Sequence, residues 1–150
     1  MSNIFNQDFR DFLASLNKHE VRYILVGGFS VILHGYSRTT GDMDIWVERN
    51  SENYNRLKNA FYEFGMPVFD MTEDNFLSHP NWDVFTFGNP PVAIDIMVKV
   101  KGLDFSTCYV QSIIFEDEDL KIRTIHKNDL ITAKKNSARS KDINDIENLT

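Results

Sequence analysis

The stretch ILVGGFSVILHGYSRTTGDMDIWV, Ile24 to Val47, decides how this chain folds. VRYILV (Val21 to Val26) reads as a buried strand closed by the paired glycines Gly27 and Gly28. FSVILHG then reads as a short helix begun at that turn, and MDIWV alternates as a second strand does. Side chains two apart on a strand share a face, so Asp42 and Asp44 point together while Met43, Ile45 and Val47 point the other way. Two carboxylates thus open a strand shortly after a glycine turn.

Working outward, Phe5, Phe9, Phe12, Leu13 and Leu16 draw one apolar stripe along an N-terminal helix whose task is packing. Residues 51–64 predict a second amphipathic helix, with Ser51 at its N-cap, Tyr54, Leu57, Phe61 and Phe64 on its stripe, and Gly65 and Pro67 ending it. TEDNFLSH suggests a short helix capped by Thr72. WDVFTF and VAIDIMVKV are strands joined across Gly88-Asn89-Pro90-Pro91, which predicts an antiparallel pair. YVQSIIF and LKIRTI predict another pair around the acidic tip Glu116 to Asp119, and Asp129 to Leu149 predicts a helical tail. Repeats, linkers and low-complexity tracts are absent from the sequence. This order predicts one α+β domain over residues 1–150, with a mixed sheet and a C-terminal helical tail.

Composition narrows the function classes. A chain of 150 residues, 42% hydrophobic, builds a single core. Its net charge of -6 argues against a broad nucleic-acid-binding face, because such affinity comes from neutralised phosphates. The single cysteine, Cys108, rules out an intrachain disulfide and a cysteine zinc cluster, and reads as a small buried hydrophobe in a reducing cytoplasm. The chain has neither a membrane-length apolar run nor the basic-then-apolar order of a signal peptide at its start.

A third acid shapes the chemistry. In the strand Val92 to Val100, Ile94, Ile96 and Val98 form one face, and Asp95 lies opposite, between Ala93 and Met97. A carboxylate in such a strand is costly unless its charge is compensated. Were it brought beside Asp42 and Asp44, charges ~4 Å apart would repel by about 4 kcal/mol per pair at an effective dielectric of ~20. A divalent cation resolves that conflict, and Mg²⁺, a hard ion that takes oxygen ligands, is the natural one; four histidines in all make Zn²⁺ the poorer fit. The alternative is that each acid caps, turns or pairs with Lys or Arg. The Gly27-Gly28 turn favours the cation, because backbone N–H groups without side chains offer a phosphate seat. A phosphate seat and an acid cage are the two halves of a phosphoryl-transfer site.

Gly27-Gly28, a 13-residue spacer, Asp42-Met43-Asp44-Ile45 and a later Asp95 make the sequence resemble the nucleotidyltransferase superfamily that includes DNA polymerase beta. It is most similar to the small bacterial minimal and abortive-infection-toxin nucleotidyltransferases, with His34-Gly35, Arg38-Thr39-Thr40 and the tail residues Lys134, Arg139, Lys141 and Asp142 adding to the likeness. The resemblance implies a mixed sheet of about five strands with helices on one side. It also implies a nucleoside triphosphate such as ATP with two Mg²⁺ ions, Mn²⁺ being an alternative. Asp42 and Asp44 would ligate both ions, and Asp95 the catalytic one. The glycines would hold the β and γ phosphates and the acceptor hydroxyl would attack the α phosphate, releasing pyrophosphate. The acceptor is a small molecule, RNA or protein. Many members carry serine second in the glycine turn, whereas Gly28 stands here and Ser30 is the nearest hydroxyl. Arg38 and Lys134 are the candidate triphosphate cations, and Trp46, on the face of Asp44, is core or a border to base or acceptor. Two alternatives are a toxin-antitoxin or regulatory component acting through a protein partner, and a nucleotide-binding domain without transfer activity.

Overall fold

The computed structural model describes residues 6–36, 40–78, 80–89, 92–137 and 140–150. Helix α1 (Gln7–Lys18) starts on Asn6, whose side chain accepts from the Phe9 N–H, and buries Phe9, Phe12, Leu13 and Leu16 as the stripe predicts. Strand β1 (Tyr23–Val26) runs into α2 (Gly27–Leu33), and β2 (Asp42–Val47) returns. Helices α3 (Ser51–Phe64) and α4 (Glu73–Ser78) follow, then strands β3 (Val84–Asn89) and β4 (Val92–Met97). Helix α5 (Phe105–Gln111), the hairpin β5 (Ile113–Asp117) and β6 (Leu120–Thr124), and helices α6 (Lys127–Ser137) and α7 (Ser140–Leu149) complete the chain.

The strands form one sheet in the order β3-β4-β2-β1-β6-β5. β2 and β4 are parallel, as are β1 and β6, and the other neighbours are antiparallel. The sheet is mixed, with six strands where the resemblance implies about five, because both arms of the last hairpin join one edge. Three further details differ from the sequence reading. The α3 N-cap is Asn50, which accepts from the Asn53 N–H, and Ser51 is already helical. Tyr109 to Gln111 are helical, because Asp104 caps α5 by accepting from the Thr107 N–H and turns Cys108 inward. Helices cover both faces, not one. Ile24, Val26 and Trp46 pack with Cys108, Leu130 and Leu149 from α5, α6 and α7, while Leu25, Met43, Ile45 and Ile94 pack against α1, α3 and α4.

On that second face Phe61 meets Phe12 and Phe87 edge to face, at centroid distances of 5.5 and 4.8 Å. Burying one such ring stabilises by roughly 1.5–3 kcal/mol. Trp46 is buried, edge to face with Phe105 at 5.3 Å, and packs as core.

Candidate active site

The register of β2 against β4 places the acids. Asp44 is the partner of Asp95 and Asp42 that of Ala93, so all three carboxylates rise from one face of the sheet. Neighbouring strands lie about 4.8 Å apart, which puts Asp44 and Asp95 side by side. Asp42 is exposed at the strand mouth, and Asp44 and Asp95 are half-buried. One Asp95 oxygen, Oδ1, is shut away from solvent with no hydrogen-bond partner. An unsatisfied buried oxygen costs free energy on the order of 1–3 kcal/mol. Thr86, its partner on β3, is exposed, leaving that side open. Among the described residues no three His, Cys, Asp or Glu side chains are drawn into a closed cation cage. The donor set itself, adjacent carboxylates with an orphaned oxygen, suits a hard divalent ion.

Across β1, the Asp44 carboxylate lies against Gly27. A Cβ at Gly27 would sit inside that carboxylate, 2.9 Å from Asp44 Cγ, and Gly27 has φ +72°. Both facts demand glycine there. Gly28 follows in the first turn of α2, half-buried. A cavity of about 280 Å³ opens beside Gly27 and Asp44 and is closed by α6 and the loop after β4. Lys99, Lys101 and Lys134 line it. Lys99 and Lys101 are the site residues the sequence reading missed. Their signal was the two-residue step Asp95, Met97, Lys99, Lys101, which continues one face past the end of the strand.

Other expectations are corrected. The Ser30 side chain is fully buried and its hydroxyl lies 2.6 Å from Thr124 Oγ1, so it faces the core and cannot grip a phosphate. Lys134 borders the cavity but is itself buried, with Nζ 2.9 Å from Asp145 and 3.2 Å from Asp142. Two buried carboxylates offset its charge, so it ties α7 to α6 and brings little net positive potential. His34 Nε2 lies 2.7 Å from the Ile125 carbonyl, a structural contact between α2 and the end of β6. Arg38, Arg139 and the side chain of Lys141 lie outside the described residues.

This arrangement sets a glycine turn, two lysines and Asp44 around one cavity, with Asp95 the register partner of Asp44, which suits an anionic ligand accompanied by a cation. Comparison with known proteins bears on the family and the fold. A family model described as nucleotidyltransferase of unknown function (DUF6036) matches residues 6–150. No curated protein matches the chain in sequence. Among solved structures, the lincosamide antibiotic adenylyltransferase LnuA, lincomycin-bound, is 18% identical, covers 97% of this chain and 96% of its own, and superposes with a TM-score of 0.65. A candidate nucleotidyltransferase of Thermotoga maritima is 14% identical over 93% of this chain and 88% of its own, with a TM-score of 0.57. An antigenic nucleotidyltransferase-like protein of Paracoccidioides brasiliensis is also 14% identical, over 93% and 72%, with a TM-score of 0.56. At these identities the likeness establishes a shared fold. Among the described residues no helix is long and apolar enough to cross a membrane.

Proposed function

We propose that this chain, which belongs to the nucleotidyltransferase family (DUF6036) whose model spans residues 6–150, transfers a nucleoside monophosphate from a nucleoside triphosphate to an acceptor hydroxyl in the presence of Mg²⁺. One observation carries the reading: Asp44 and Asp95 are register partners on parallel strands, with an orphaned Asp95 oxygen and Gly27 packed against Asp44.

Asp42, Asp44 and Asp95 would hold the metal. When bound, Mg²⁺ neutralises phosphate charge and polarises the α phosphate. The chain's own groups do the rest. The Gly27-Gly28 turn, which opens α2, offers its backbone N–H groups to the phosphate chain. Lys99 and Lys101 offer charge to the β and γ phosphates. Asp95 accepts the proton of the acceptor hydroxyl as its oxygen bonds to the α phosphorus. The bond from that phosphorus to the bridging oxygen breaks, and pyrophosphate leaves with the electron pair. Lys134 acts indirectly, by positioning α6 and α7. Arg38 keeps the role the resemblance implies.

LnuA is described as an adenylyltransferase that binds a small-molecule antibiotic, which makes ATP and a hydroxylated small molecule the first donor and acceptor to try. The test is incubation of the protein with α-labelled triphosphates, Mg²⁺ and fractionated cell extract. Label is expected to pass to an acceptor, and Asp95→Asn to slow transfer at least ~100-fold. Pyrophosphate release that is equally fast in Asp95→Asn would remove the acids from the mechanism.

A further inference from the structure

A cavity of about 770 Å³ lies away from the acids. Tyr23 and Arg22, at the opening of β1, form part of its wall, whereas the acid site sits at the Val26 end of that strand. The length of β1, three residue steps from Tyr23 to Val26, separates the two by about 10 Å.

Five cations line this cavity, Lys18, Arg22, Arg56, Lys121 and Arg123, against two acids, Glu20 and Asp119. That is a concentration of positive charge in a chain of net charge -6. Tyr109 lines the wall, and two guanidiniums lie over its ring, Arg22 at 4.2 Å and Arg123 at 4.3 Å from the centroid. Such stacking holds both guanidiniums in fixed planes without using up their N–H donors. Arg123 donates from Nη1 to Ser112 Oγ at 2.9 Å, and among the described residues it pairs with no carboxylate. Arg22 lies 2.7 Å from Glu48, yet its Nε makes no aligned hydrogen bond. Lys121 is 71% exposed and only 4.0 Å from Glu116. Lys18 and Arg56 pair with Glu63 and Glu52, which stand outside the lining.

We infer that this cavity is a second anion site, which binds two or more adjacent phosphate groups through the Arg22–Tyr109–Arg123 stack. Forked guanidiniums match phosphate oxygens, and Lys18, Arg56 and Lys121 supply point charges around the rim. Two guanidiniums and the stacked Phe105 ring, at a centroid distance of 5.5 Å, crowd Tyr109, so the ring is a brace for the arginines and not a platform for a base. The shared chemistry is an oligophosphate, free or carried by a nucleotide. No divalent cation is needed, because the wall itself is cationic.

The experiment is calorimetric titration of the full chain in EDTA and 50 mM salt with inorganic tripolyphosphate and, separately, with a nucleoside triphosphate. Saturable binding of tripolyphosphate is expected, weakened at least tenfold by Arg123→Gln and by Arg22→Gln. The exposed Lys121→Gln, which threatens no fold, is expected to weaken it about threefold, and rising salt to weaken it further. Asp44→Asn, at the other end of the strand, is expected to bind within twofold of the parent. Equal affinity for the two ligands would show that phosphates alone are read, and tighter binding of the nucleotide that the nucleoside adds contacts; both support the site. Absent binding, indifference to Arg123→Gln and Lys121→Gln, or loss in Asp44→Asn would overturn it. The nucleotidyl-transfer reading is untouched by that failure, since it requires Mg²⁺ and the acids.

Discussion

Replacing Gly27 by alanine probes the contact on which the acid site is built. The backbone there has φ +72°, and a left-handed conformation costs a residue with Cβ roughly 1–2 kcal/mol. The new Cβ would also sit 2.9 Å from Asp44 Cγ and 3.1 Å from its Cβ, and overpacking of this kind costs about 1–3 kcal/mol. Together the two effects predict a loss of about 2–5 kcal/mol, a large share of the roughly 5–15 kcal/mol that holds a domain of this size. Urea unfolding of Gly27→Ala, Asp44→Ala and the double variant separates the contributions. In the Asp44→Ala background the carboxylate is gone and only backbone strain remains, so the cost of Gly27→Ala is expected to fall to about 1–2 kcal/mol. A cost under about 0.5 kcal/mol, or an equal cost in both backgrounds, would refute the packing of Asp44 on the glycine turn.

Three more outcomes are expected. Asp44 and Asp95, one strand spacing apart, repel by about 3 kcal/mol at a dielectric of ~20, discounted for their partial exposure; Asp95→Asn is therefore expected to keep or raise the metal-free melting temperature while abolishing the rise that Mg²⁺ produces in the parent, as thermal unfolding would show. Lys134→Met leaves Asp142 and Asp145 buried without their cation, and chemical denaturation is expected to show a loss of about 3–5 kcal/mol, with α7 losing amide protection first in hydrogen exchange. Burial pushes the Tyr23 phenol up to about 12 from 10.0, and burial with Asp129 nearby pushes the Cys108 thiol up to about 12 from 9.0. Both groups stay protonated in the folded chain after the unfolded chain has ionised. Their stabilising effect is complete below about pH 9 and is lost as pH rises towards 12, and Tyr23→Phe is expected to flatten the part of that fall above pH 10 in pH-dependent unfolding.

Periodicity made most of the fold legible. The stripes of α1 and α3, the alternation along β3 and β4 and the shared face of Asp42 and Asp44 follow from repeats of 3.6 and 2, which local sterics impose whatever surrounds them, whereas Asp95 joins that face only through the pairing of β2 with β4. Tyr109 to Gln111 could not be read that way, because a run as short as YVQSIIF suits helix and strand alike and the Asp104 cap decides. Ser30 was misjudged for a related reason. Its nearness in sequence to the glycines is real, but the turn of α2 points its hydroxyl at Thr124, which lies 94 residues further along the chain. Lys134 likewise depends on Asp142 and Asp145 closing over it, a tertiary pairing with no local signature. The cations over Tyr109 come from Arg22, just before β1, and from Arg123 in β6, strands adjacent in the sheet and about a hundred residues apart in sequence, so no motif announces them.

The most direct measurement is a crystal grown with a nucleoside triphosphate analogue and Mn²⁺, examined for anomalous scattering. The account expects a metal peak between Asp44 and Asp95, within about 2.2 Å of an oxygen from each, with the phosphate chain against Gly27. A triphosphate bound elsewhere with both carboxylates free of metal would contradict it.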